Sequence, residues 1–95
     1  MITIYKYPLT TDSPIRQATT IRMPKDSNVI KVGVQNNQIC LWAIVNTENP
    51  EVGVTFKIYG TGHELAPETE TCYEMRQGTV MIGPFVWHVF EVVNY

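Results

Sequence analysis

The chain is expected to fold as an all-β domain, and two observations carry that expectation. Valine and isoleucine together number 20 against three leucines and three alanines, with 11 threonines besides. β-Branched side chains are stiff at χ1 and fit a pleated surface better than a helix. Apolar residues also recur at every second position through several segments, the period of a strand with one buried face. At 95 residues the chain makes one domain over 1–95, and the architecture that fits is a small antiparallel sandwich or barrel of about seven to eight strands.

The first strand covers 2–7, where Ile2 and Ile4 mark one face, and a second is placed at 17–23. Ile30, Val32 and Val34 define a third over 29–35. Asn36-Asn37 then suits the positive φ values of a tight hairpin leading into a fourth strand over 38–46, marked by Ile39, Leu41, Ala43 and Val45. A longer turn from Asn46 to Glu51 precedes a fifth strand over 52–59, carrying Val52, Val54, Phe56 and Ile58. Strands 29–35, 38–46 and 52–59 are expected to form a meander. Gly60 and Gly62 then reverse the chain, and the stretch from His63 to Glu70, which lacks alternation and contains Pro67, reads as a surface loop. Further strands at 71–76 and 79–82 are joined through Gln77-Gly78, and a last one runs from Pro84 to Val93.

Two strands are apolar on both faces. Phe85, Trp87 and Val89 alternate with Val86, His88, Phe90 and Val92; Cys40, Trp42 and Ile44 alternate with Leu41 and Ala43. Such strands lie centrally in a sheet or contribute to an interface, because a strand with one wet face would avoid the pattern. Two of them exceed what one modest core covers, so a homo-oligomer is expected.

Composition narrows the function classes. With 44% hydrophobic and 17% charged residues the chain is an ordinary globular one, and no apolar run is long enough to span a bilayer. The start lacks the features of a secretion signal, so the protein is expected to stay in the cytoplasm. A net charge of −2 argues against general nucleic-acid binding, which needs a field of lysine and arginine. The charges are segregated, however: Arg16, Arg22, Lys25 and Lys31 lie close in sequence, while Glu64, Glu68, Glu70 and Glu74 crowd the second half.

Candidate chemistry is sparse. Cys40, Cys72, His63 and His88 have no metal-ligand spacing, so no metal is expected, nothing calls for a cofactor, and each cysteine reads as a small buried hydrophobe. Gly60-Thr61-Gly62 has the glycines of an anion-binding loop but is followed by acids that would repel a phosphate, and its glycines are read chiefly as a turn. His63 and Glu64, as neighbours on an extended chain, point to opposite faces and do not make an acid–base pair. No nucleophile, base and oxyanion donors can be assembled, so no enzyme is expected. Aromatic groups with polar tips suit contact with ligands or proteins. The candidate binding residues are therefore Arg16, Arg22, Lys25, Lys31, Trp42, Tyr59, Thr61, His63, Trp87 and His88.

The segments Ile4-Tyr5-Lys6-Tyr7, Met23-Pro24, Val34-Gln35, Leu41-Trp42-Ala43, Gly60-Thr61-Gly62-His63 and the run from Val86 to Glu91 together resemble an uncharacterised family of small all-β proteins from tailed phages and prophages. The resemblance spans most of the chain and implies a phage or prophage accessory protein made in the cytoplasm of a bacterial host. It implies no activity. Within that context the favoured function is a non-enzymatic binding module acting in counter-defence. It would sequester a small nucleotide-type host signal, with aromatics stacking the base and the basic residues meeting phosphates at subunit boundaries, or block a host protein. A structural or assembly protein of the particle is the alternative.

Overall fold

The computed structural model describes residues 1–9, 17–62 and 72–94. In them the alternating segments form seven strands: β1 (Ile2–Pro8), β2 (Gln17–Pro24), β3 (Asn28–Gln35), β4 (Gln38–Asn46), β5 (Glu51–Gly60), β6 (Cys72–Ile82) and β7 (Phe85–Asn94). A three-stranded sheet has the order β1-β4-β3 and a four-stranded sheet the order β2-β5-β7-β6, every pair antiparallel. The two pack face to face as a sandwich rather than closing into a barrel.

The apolar faces read from the sequence for 38–46 and 52–59 meet between the sheets, whereas Ile2, Ile4 and Ile30, read as core-facing, are exposed, because β1 turns Tyr7 inward and a register shift sets Ile30 out of phase with Val32. Ile39, Leu41, Ala43 and Val45 of β4 oppose Phe56 and Ile58 of β5 and Val89 of β7, with Met23, Val80 and Leu9 completing the buried cluster. Burying one large apolar side chain contributes about 1.5–3 kcal/mol, so this cluster sets which way each strand faces. The doubly apolar strands are the central ones: β4 lies between β1 and β3, and β7 between β5 and β6.

The turn chemistry is local. Asn36 and Asn37 have φ of 54° and 60°, the left-handed pair of a two-residue type I′ turn, and Gln35 faces Gln38 beside it. Gly62 has φ of 91°, a conformation that L side chains rarely adopt, so Gly62 turns the chain, while Gly60, also expected in the turn, is the last residue of β5 and pairs with Trp87.

Two further expectations are corrected. The meander stops after β4, because β1 and β3 occupy both of its edges; the chain crosses at residues 47–50 and β5 pairs with β2 and β7 in the other sheet. Gln77-Gly78 is also no hairpin turn. Both residues lie inside the continuous β6, where the register shifts between Arg76 and Gly78 opposite Phe90 and Val89. This bulge brings Gly78 under β3. A Cβ at Gly78 would lie 2.9 Å from Cβ of Val32, so the absent side chain lets the edge strands of the two sheets touch.

The opposite pattern holds where the chain changes sheets. The β2–β3 turn and the β4–β5 crossing run side by side, tied by Lys25 N donating to Pro50 O at 2.8 Å and Asn49 Nδ2 donating to Lys25 O at 2.9 Å. Beneath them the sheets leave a cleft of about 680 Å³.

Candidate functional site

The outer face of the three-stranded sheet is set by its register. With Leu41, Ala43 and Val45 buried inward, alternate residues face out in rows across the strands: Ile4, Ile44 and Asn28; then Lys6, Trp42 and Lys31; then Pro8, Cys40 and Gly33. Ile2 is 73%, Ile4 55% and Ile44 38% exposed, so apolar area stays open to water on the side of the sheet away from the core. Ile2, Thr3, Ile4 and Ile44 line a shallow depression there of about 410 Å³. Ile30, the extra residue where the β3–β4 register shifts, is also exposed.

Next to this apolar end lies an aromatic and basic row. Gly33 leaves room for the Trp42 ring, since a Cβ there would sit 3.3 Å from Trp42 Cζ3. Lys31 Nζ lies 5.5 Å from the ring centroid, a cation–π contact, and Lys6 Nζ donates to Gln35 Oε1 at 2.6 Å. The strands β1, β3 and β4 contain these two lysines and no carboxylate. In a chain of net charge −2, this sheet is a local positive surface.

The outer face of the four-stranded sheet is organised differently. The His88 ring is held between two threonines, Nε2 2.9 Å from Thr61 Oγ1 and Nδ1 3.1 Å from Thr79 Oγ1, and Arg76 Nη2 donates to Thr79 Oγ1 at 3.4 Å. The threonine hydroxyls can rotate to complement either state of each ring nitrogen. Thr20 and Thr55 share a bond at 2.9 Å, and Tyr59 packs edge-on against Phe90 with centroids 5.5 Å apart. The polar groups of this face largely satisfy one another.

The residues expected to bind are thus distributed over several surfaces. Lys31 and Trp42 meet on the three-stranded sheet; Tyr59, Thr61 and His88 lie together on the outer face of the four-stranded sheet. Arg22 belongs to the outer face of edge strand β2, its Nη2 donating to Glu51 O at 3.1 Å. Lys25 sits in the β2–β3 turn, and Trp87 faces inward against the core. Arg16 and His63 lie outside the described residues, as do the 63–70 loop and its acids. Cys40 is a buried thiol, as expected. Among the described residues no group of histidine, cysteine and carboxylate side chains could hold a metal.

The model of the family described as a domain of unknown function, DUF7352, matches residues 1–95. The chain belongs to the DUF7352 family. No curated protein and no solved structure matches it.

Two features of this DUF7352 chain escaped sequence reasoning. Lys6 joins Trp42 and Lys31 only through the pairing of strands 36 residues apart in sequence, Lys6 opposite Trp42. Glu91, by its phase with Val89, faces the interior at the cleft. Burial there pushes its carboxyl above the usual glutamate range. The Tyr7 hydroxyl is also raised, first by burial and then by the charges of Glu51 and Tyr5. Alternation within the run from Val86 to Glu91 was the available sign for Glu91, since an acid in the phase of Trp87 and Val89 is out of place in a core.

Proposed function

We propose that the protein is a non-enzymatic binding module whose contact surface is the outer face of the three-stranded sheet, and that its partner is a protein presenting carboxylates beside apolar side chains. The single observation behind this reading is the pairing of an exposed isoleucine patch with the Lys6–Trp42–Lys31 row on a sheet without acids. Tryptophan and apolar anchors supply contact energy, while the two lysines, roughly 10 Å apart across two strand spacings, steer and orient an acidic surface. A second copy docked through the same face would set lysines against lysines, so charge favours a different partner over self-association. The nucleotide reading has less support, because of the described residues expected to meet a base and its phosphates only Trp42 and Lys31 come together, while Arg22, Lys25, Tyr59 and Trp87 lie on other surfaces. In the setting implied by the resemblance, the partner is a host protein that a phage or prophage accessory protein engages in the bacterial cytoplasm.

The test compares the wild-type chain with Lys6→Glu/Lys31→Glu and with Ile4→Glu/Ile44→Glu, each checked for folding by circular dichroism. A partner retained by the wild type and lost from both folded variants supports the reading. A partner retained equally by either folded variant overturns it. Light scattering that shows a wild-type oligomer dissolved by the isoleucine variant would reassign the face to a second copy, and a chain found in purified particles would favour an assembly role.

A further inference from the structure

The cleft beneath the two crossings holds a carboxyl group that the binding face does not use. Its described lining is apolar where the sheets diverge, with Met23, Val29, Val52 and Val54, and Glu91 enters it from the central strand β7. Glu91 stands opposite Phe56 on β5, a fully buried side chain, in the inward phase of the sheet. Its side chain makes no hydrogen bond or ion pair to any described residue. Lys25 and Asp26 line the same cleft from the β2–β3 turn.

A partly desolvated carboxyl without a partner is costly, and proteins normally satisfy such groups. An anion would be repelled here, and a neutral apolar molecule would leave the carboxyl unsatisfied. A positively charged donor on a short hydrocarbon stem meets both demands, with its head on Glu91 and its stem against the valines. The volume of about 680 Å³ is within the range of small-molecule sites.

We infer that this cleft is a binding site for an alkyl ammonium or alkyl guanidinium group, with the Glu91 carboxylate as its counter-ion. The site is independent of the outer face of the three-stranded sheet. Its chemistry fits a free amine or a lysine or arginine side chain carried by a peptide. The raised carboxyl pKa is consistent with it: a bound cation would favour ionisation and release a proton on binding.

The probes are n-butylammonium, n-butylguanidinium and a short peptide with one central arginine, with n-butyrate as control, each titrated into the isotope-labelled full chain. Saturable shifts of the Val54, Gln77 and Glu91 backbone amides with the cations, at least tenfold weaker binding in Glu91→Gln and no response to n-butyrate are expected. Peptide binding tenfold tighter than the free amines assigns the site to a side chain; equal or weaker binding assigns it to a small amine. Absence of saturable shifts with all three cations overturns the inference, as does unchanged affinity in a folded Glu91→Gln variant. The Lys6→Glu/Lys31→Glu variant should bind the cations normally, so failure at one surface is readable apart from failure at the other.

Discussion

The two outer faces of the sandwich are built on similar backbones and do opposite things with their side chains. On the four-stranded sheet, His88 is bridged by Thr61 and Thr79, and Thr20 bonds Thr55, so polar groups close on one another. On the three-stranded sheet, Ile2, Ile4 and Ile44 stay exposed beside Trp42 and two lysines. Exposed apolar groups in a cluster are an informative departure from an ordinary surface, and here they cluster on the three-stranded sheet, whereas Met81 stands exposed away from the bonded polar groups of the other face. The contrast singles out the three-stranded sheet as the face shaped for contact.

The contrast depends on the sheets being held apart at a fixed distance, which Gly78 controls. Gly78→Val should have the largest effect, a loss of about 1–3 kcal/mol, because its Cβ would collide with an atom fixed to the β3 backbone rather than with the end of a flexible side chain. Urea unfolding measures the loss. Val32→Gly, which removes that Cβ, should recover part of the loss in the same chain, and a double variant as unstable as the sum of the two singles would show that the seam is not the cause.

Breaking the self-satisfied face should come next. His88→Ala removes the group joining Thr61 to Thr79, and two exposed hydrogen bonds, each in the lower half of the range of about 0.5–1.5 kcal/mol, give an expected loss of about 1–2 kcal/mol. Ile44→Ser on the other face should cost no more than about 0.5–1 kcal/mol, since its side chain is already partly in water, yet it should weaken partner binding. If thermal unfolding ranked these two variants the other way, the isoleucine would be serving the fold and the contrast between faces would collapse.

How much of this could be read from residues alone follows from the range of the forces involved. Strand positions were legible because alternation is local, and the two apolar faces of β4 and β7 left a central place or an interface open, of which the sheet order shows the central place. The Asn36-Asn37 turn announced itself by residue type. The crossing after β4 was not legible, because it is decided by β1 occupying an edge from the far end of the sequence. The bulge at Gln77 was mistaken for a turn because glycine serves both; only the approach of Val32 distinguishes them. The same limit applied to the site. Trp42 and Lys31 stood out individually, but the row with Lys6 is a product of register, and the described basic residues grouped in the sequence, Arg22, Lys25 and Lys31, lie on different surfaces.

The smallest expected effect concerns the cleft, where the Glu91 side chain pairs with no described residue. An acid whose pKa is higher in the folded than in the unfolded chain binds its proton more tightly when folded, so it supports folding at low pH and loses that support as pH rises from the unfolded to the folded value. Lys25 and Asp26 line the same cleft, but burial is what raises the Glu91 carboxyl. Glu91→Gln keeps the shape and removes the titration. Below the ordinary glutamate range the variant and the wild type should therefore unfold at similar temperatures. As pH rises through that range, the variant should gain an advantage that levels off once the folded wild-type carboxyl is ionised. For a half-buried group screened by solvent the gain should stay under about 1 kcal/mol. An advantage that shrinks with rising pH would mean that a cation already stabilises the ionised carboxylate in the folded chain.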